Sequence, residues 1–189
     1  MIIIALRNLI CIIGLILIFP LLICVGIAIF FEDGLPVFFS QKRFGKDLTT
    51  FKIYKIRTMK LETPQLGTYD INEKYILNIG KIVRKLKLDE FPQLINVLRG
   101  ELNLIGPRPG LENQVKLKEH RQKRRVFSFT PGITGLAQVT GFDMSDPEKL
   151  SKIDEYYINN RSFKMDVQIF MATFFKSMRK SLVKKVYEI

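Results

Sequence analysis

Hydrophobic and polar positions are segregated along this chain. From Leu9 to Phe31 no residue is charged, a run of about 23 residues that is long enough to cross a hydrocarbon core as a helix. After Glu32-Asp33-Gly34 the pattern turns polar and basic. Val37-Phe38-Phe39 and the stretch from Thr50 to Arg57 predict two strands joined through a Gly45-Lys46-Asp47 turn, with Lys55 and Arg57 on the same side as Phe51 and Ile53. A loop is expected from Leu61 to Tyr75, then a helix from about Tyr75 to Leu86. A second helix should begin near Asp89: Pro92 is tolerated only in a first turn, Leu94, Ile95, Val97 and Leu98 form an apolar face, and Arg99-Gly100 is a stop. Gly106-Pro107-Arg108-Pro109-Gly110 is too rich in proline for regular structure. Pro131 to Gly135 reads as a turn before a short strand from Leu136 to Val139, with Gly141 permitting close backbone approach. From Asp166 to Tyr187, Val167, Phe170, Met171, Phe174, Phe175, Met178 and Leu182 recur at helical steps opposite Lys176, Arg179, Lys180, Lys184 and Lys185, with Ser162 as a candidate cap.

These elements predict an α+β chain, mainly helical, with a small hairpin and short strands. Residues 1–31 form a membrane segment, and 32–189 form a body that ends in an amphipathic helix over 163–187. Pro20 lies near the middle of the apolar run, where it removes one backbone hydrogen bond and disfavours helical geometry at Phe19. The pattern alone leaves two topologies open: a kinked span, or a re-entrant helix–break–helix that returns to the face it entered. Basic residues flank both ends (Arg7; Lys42, Arg43 and Lys46), so charge does not assign them to opposite sides. Phe and Met on one face of the C-terminal helix, with Lys and Arg on the other, suit an anionic membrane interface. A core-facing helix is the alternative.

Composition narrows the chemistry. Thirty Lys+Arg against 18 Asp+Glu give a net charge of +12, which implies an anionic partner: a nucleic acid, an anionic membrane or a phosphorylated substrate. Cys11 and Cys24 both fall in the apolar run, and the single histidine, His120, lies in a highly charged helix. Neither a disulfide framework, nor histidine-based nucleophilic catalysis, nor multi-histidine zinc chemistry is supported. Carboxylates are the main reactive groups left. Asp89 and Glu90 stand side by side behind Lys81, Arg84, Lys85 and Lys87, at what reads as a helix start. The positive helix end favours an ionised carboxylate there, and neighbouring residues diverge on a helix, so the two acids take different roles. The plainer reading makes Asp89 a cap and Glu90 a solvated charge. The stiff Gly106 to Gly110 segment would hold Arg108 in one place, which suits a phosphate.

Taken together, Phe51 to Met59, Leu88-Asp89-Glu90-Phe91-Pro92-Gln93-Leu94, Gly106-Pro107-Arg108-Pro109 and Pro131 to Val139 resemble the bacterial sugar transferases, the small monotopic phosphoglycosyl transferases. The resemblance covers nearly the whole chain. It implies transfer of a sugar 1-phosphate from a UDP-sugar, with an N-acetylated amino sugar favoured, to polyprenyl (undecaprenyl) phosphate at the cytoplasmic face of the bacterial inner membrane. It also implies a re-entrant membrane helix, magnesium, and phospholipids and downstream glycosyltransferases as partners rather than nucleic acid. By motif, Asp89 would be the nucleophile and Glu90 a magnesium ligand or its helper, with Asp89 a metal-binding candidate as well. Lys55, Arg57, Arg84 and Arg108 would bind substrate phosphate; Thr58, Pro109, Thr134 and Gln138 are weaker substrate-contact candidates. Some positions depart from the family pattern: Phe19 where a serine often precedes the proline, Lys87 for serine, Phe91 for leucine, and Phe142 where many members carry arginine. A membrane-anchored nucleic-acid binder and a non-enzymatic scaffold are the rival readings. The first leaves the acid pair without a role, and the second leaves the Arg108 loop without one.

Overall fold

The computed structural model describes residues 2–63 and 73–187 and is α+β. Its secondary structure comprises α1 (Ile2–Asp33), β1 (Phe38–Phe44), β2 (Thr50–Ile56), α2 (Asn78–Lys85), α3 (Leu94–Leu98), β3 (Asn103–Ile105), α4 (Val115–Lys123), β4 (Gly132–Thr134), α5 (Leu136–Thr140), α6 (Pro147–Asn160), α7 (Phe163–Phe174) and α8 (Arg179–Tyr187), with short 3-10 turns between them. Residues 64–72, the middle of the expected loop, lie outside the described residues. The chain divides into two compact units. The first comprises 1–41 and 52–99, the second 42–51 and 100–189, so the base of the β1–β2 hairpin belongs to one and its tip to the other.

In the first unit α1 is one continuous helix that includes Pro20. Helical hydrogen bonding runs on past the proline, which deletes one backbone bond and can kink a helix without ending it. Much of α1 is exposed, as in Leu17 at 75% and Phe31 at 81%, and the helix is apolar and long enough to cross a membrane. Parts of both halves nevertheless pack within the unit. Cys11 is buried, and a Cβ added at Gly14 would sit 3.5 Å from the Leu94 side chain. Val25 and Ile29 join Ile56, Leu77, Val83 and Leu88 in the core. The end of α1 is locked by side chains. Both Glu32 carboxylate oxygens accept backbone N–H groups at the start of α2, from Asn78 at 2.6 Å and Ile79 at 3.0 Å. α2 starts at Asn78, later than the expected Tyr75, which falls in a 3-10 turn.

The second unit is built on a short parallel pair, β3 against β4, with Asn103 opposite Gly132 and Ile105 opposite Thr134. Sequence pattern placed a turn at 131–135 and a strand at 136–139; the structure has strand first and helix after. Glycine explains the strand: a Cβ on Gly132 would lie 2.1 Å from the Gly106 nitrogen, so only bare backbone lets these segments pair. Gly141 ends α5 at φ 90° with nothing near its Cβ position, so it serves a left-handed helix end rather than the expected close approach. Ile153, Tyr157, Ile169, Ala172, Leu182 and Val186 are all buried in this unit's core. The C-terminal segment is therefore two helices, interrupted at Phe175 to Met178, and it completes the core. This corrects the reading of a single helix that only lies on a surface. Ser162 does cap α7, its hydroxyl accepting the Met165 N–H at 3.2 Å.

Candidate active site

Asp89 and Glu90 occupy the first turn of a 3-10 helix, Leu88–Gln93, which runs directly into α3. The sequence suggested an α-helix starting at Asp89. Instead Lys87 enters the turn with positive φ (57°), and the tighter coil carries Pro92 until the apolar face of α3 takes over. Both acids are half-buried. Lys55, on β2, donates to Glu90 Oε1 at 3.2 Å, with both side chains mostly covered. Arg84, in the last turn of α2, donates through Nε to the Thr58 hydroxyl at 2.8 Å. Burial pushes the Arg84 guanidinium below its ordinary value, and the negative charge of Asp89 opposes that shift. Lys55, Thr58, Arg84, Asp89 and Glu90 thus belong to one linked cluster in the first unit.

The scaffold beneath it depends on two close contacts. A Cβ on Gly80 would fall 2.3 Å from the Thr58 carbonyl oxygen, so α2 reaches the end of β2 only because residue 80 is glycine. Asn96 of α3 is fully buried; its amide donates to the Lys52 carbonyl at 2.7 Å and its oxygen accepts the Tyr54 N–H at 3.3 Å. The acid turn and the Lys55 strand are thereby held in register. Sequence reasoning passed over Gly80 and Asn96, although a glycine inside a helix and an asparagine on an apolar helix face are visible signals.

Arg57 behaves differently from its neighbours. It is 5% exposed, and its guanidinium meets the Asp33 carboxylate and the carbonyls of Asp33, Gly34, Pro36 and Met59. These contacts engage all five N–H donors of an arginine. The side chain closes the C-terminal end of α1, where unpaired helix carbonyls need donors. The phosphate role expected for it is corrected to a structural one in this conformation. Strand parity misled here because burial shifts after Tyr54, leaving Ile56 and Arg57 inside.

Arg108, Pro109, Thr134 and Gln138 all lie in the second unit. Arg108 is half-buried between two buried prolines. Gly106 N–H donates to the Thr134 carbonyl and Gly132 N–H to the Pro107 carbonyl, each at 2.9 Å, joining the two glycine-proline motifs through their backbones. The Thr134 hydroxyl is buried against that of Thr173 at 2.9 Å, a structural contact. Gln138 keeps a buried Oε1 without a partner among the described residues. Phe142 stacks edge-on with Tyr187, their centroids 6.1 Å apart.

The family model described as "Bacterial sugar transferase" matches residues 3–180. The uncharacterized sugar transferase EpsL of Bacillus subtilis is 40% identical over 170 residues, covering 86% of this chain and 82% of that protein. The galactosyl transferase CpsE of Streptococcus agalactiae is 37% identical over 172 residues, covering 81% of this chain and 38% of that one. The UDP-glucose:undecaprenyl-phosphate glucose-1-phosphate transferase of Escherichia coli is 35% identical over 173 residues, covering 86% and 37% respectively. The chain spans well under half the length of the latter two relatives.

Proposed function

This chain belongs to the bacterial sugar transferase family, and on that premise we propose that it transfers a sugar 1-phosphate from a UDP-sugar to undecaprenyl phosphate, releasing UMP. The observation that carries the reading is the Asp89-Glu90 turn, half-buried, with Glu90 paired to Lys55 and the charge of Asp89 felt by Arg84. An ionised carboxylate among cations is what attack on a diphosphate requires: a nucleophile on one side and neutralised phosphate oxygens on the other. A glycosidase would need its acids on opposite sides of a sugar, not adjacent on one turn.

The reaction is a double displacement. An Asp89 carboxylate oxygen attacks the sugar-linked phosphorus and forms an acyl-phosphate bond. The bond from that phosphorus to the bridging oxygen breaks, and the oxygen leaves with its electron pair on UMP. A phosphate oxygen of undecaprenyl phosphate then attacks the same phosphorus, the Asp89 O–P bond breaks, and the carboxylate is restored. Arg84 and Lys55 offset charge near the reacting groups, and Arg108 binds phosphate. Arg57 contributes by holding the end of α1 against the strand that carries Lys55. Two adjacent carboxylates supply hard oxygen donors, and magnesium is bound by one or two carboxylates together with substrate phosphates, so Asp89 and Glu90 fit that ion. When bound, magnesium would neutralise phosphate charge and favour departure of the nucleotide.

Membrane attachment is monotopic in this reading, with both ends of α1 at the cytoplasmic face of the inner membrane. Its support is packing: Cys11 and Gly14 from the first half of α1, and Val25 and Ile29 from the second, all lie against the unit that holds the acid turn. A helix leaving that unit to cross a bilayer would leave its far half without such contacts. On α7, Phe163, Val167, Phe170 and Phe174 are exposed at steps of three and four, and Lys164, Lys176 and Lys180 of the same C-terminal segment are exposed too, a combination suited to an anionic lipid surface. The relatives carry names for galactosyl, N-acetylgalactosamine and glucose transfer at similar identity, so the sugar is to be read by a panel of these UDP-sugars.

The test uses a UDP-sugar labelled in both the sugar and its attached phosphate, without lipid acceptor. Intact-mass and peptide measurements should find the phosphosugar on Asp89, with release of UMP. Asp89→Asn should lower turnover on the order of 10⁴-fold or more. Release of UDP, or full turnover by Asp89→Asn, overturns the mechanism.

A further inference from the structure

The second unit contains a buried ion pair that the proposed chemistry does not use. Arg121 of α4 and Asp154 of α6 are 2% and 3% exposed. A single carboxylate oxygen, Asp154 Oδ2, accepts from Arg121 Nε at 3.0 Å and from Nη2 at 2.6 Å, which fixes the plane of the guanidinium. The remaining nitrogen, Nη1, donates to the main-chain carbonyl of Arg108 at 2.8 Å. Arginine presents its donors in a rigid fork, so two contacts to Asp154 dictate where the third points.

The segment that receives this contact is held along its length. The Pro107 carbonyl accepts from Gly132 N–H at 2.9 Å, the Pro109 carbonyl from Arg43 Nη1 at 3.3 Å, and the Gly110 carbonyl from Phe44 N–H at 3.1 Å. The prolines at 107 and 109 have fixed φ and no N–H to donate, and Pro109 also keeps Arg108 out of helical geometry. What remains adjustable is the peptide plane between residues 108 and 109, and that plane carries the carbonyl that Arg121 holds. Well-packed apolar residues could fill this part of the core without the desolvation cost of two charges, so stability alone is a weak reason for the pair.

We propose that the buried Arg121–Asp154 pair is a positioning device for Arg108, orienting its backbone so that the Arg108 guanidinium is aimed at donor phosphate before substrate arrives. The proposal rests on Arg108 being a phosphate-binding residue, as proposed above. Arg121 and Asp154 touch no reacting atom; they act through Arg108.

The experiment is a kinetic cycle on the full chain in detergent or nanodiscs, with UDP-sugar as the varied substrate and folding checked by thermal melting. Its variants are Arg121→Met with Asp154→Leu, which removes both charges at similar volume; Arg108→Ala; and the three changes combined. The Met/Leu variant should melt cooperatively yet lose about tenfold in kcat/KM, mostly as a raised donor KM, since misplacement of a binding group costs at least this order. Combined with Arg108→Ala it should be no worse than Arg108→Ala alone, because the pair has nothing left to position. Arg121→Lys keeps a charge beside Asp154 but lacks the fork and should show the same raised KM; it carries the comparison if the Met/Leu variant does not fold. Wild-type kinetics in a folded variant, or losses that multiply in the combined one, overturn the positioning role. A silent Arg108→Ala would instead overturn the phosphate-binding reading, and the proposal with it.

Discussion

The two units hold their motif residues by different physical means. In the first, the acid turn is surrounded by side-chain contacts of charged groups that keep some exposure: Lys55 with Glu90, and Arg84 with the buried Thr58 hydroxyl. In the second, the Gly106 to Gly110 and Pro131 to Gly135 motifs are locked by backbone hydrogen bonds and by glycines pressed together closer than any Cβ would allow. Side-chain contacts that solvent can reach can exchange partners when an anionic substrate enters, whereas a backbone lattice cannot move without breaking. The difference suggests a division of labour, with adaptable charge in one unit and a rigid mount for Arg108 in the other.

The largest effect should come from Arg57, a buried charged side chain of the first unit that does not follow its pattern. Arg57→Met takes the guanidinium from the Asp33 carboxylate, which keeps the Leu61 N–H, and from the carbonyls of Asp33, Gly34 and Pro36, and removing a buried charged partner costs about 3 kcal/mol. Urea unfolding should show that loss, while Lys55→Gln, which can still donate to Glu90, should keep the fold and lower turnover. Equal stability of the two variants would erase the distinction drawn between these neighbours. Gly132→Ala probes the second unit: its new Cβ would meet backbone at 2.1 Å, so about 3 kcal/mol should be lost. Gly100→Ala is the control, strained by φ 77° but free of neighbours within 4 Å, and should cost about 1 kcal/mol. The smallest effect per residue is at the surface. Changing the exposed Lys180, Lys184 and Lys185 to Gln should weaken binding to anionic vesicles by about 1 kcal/mol each, with the melting temperature unchanged because Leu182 and Val186 still fill the core.

The candidate residues of the acid turn and of the Arg108 segment were legible in the chain. A proline two residues after an acid pair, a basic approach and a Gly-Pro-Arg-Pro segment are chemical signals that do not depend on distant contacts, and they single out Asp89, Glu90, Arg84 and Arg108 as candidates. Arg57 and Arg121 were not legible as buried clamps. Nothing local separates an arginine whose donors meet carbonyls from one that awaits a phosphate; only the position of those carbonyls does.

The long apolar helix, the hairpin, the Ser162 cap and the mainly helical class each follow from a contiguous pattern of burial, turn chemistry or capping in the chain. The short elements took their form from distant contacts. β4 is a strand because β3 lies beside it, not because of its own three residues. The acid turn is 3-10 rather than α, with Lys87 at positive φ before it and Pro92 within it. The C-terminal helices face the core because Leu182 and Val186 find partners there. A segment of three to six residues gains too little from its own hydrogen bonds to choose a conformation, so the surfaces it packs against make the choice.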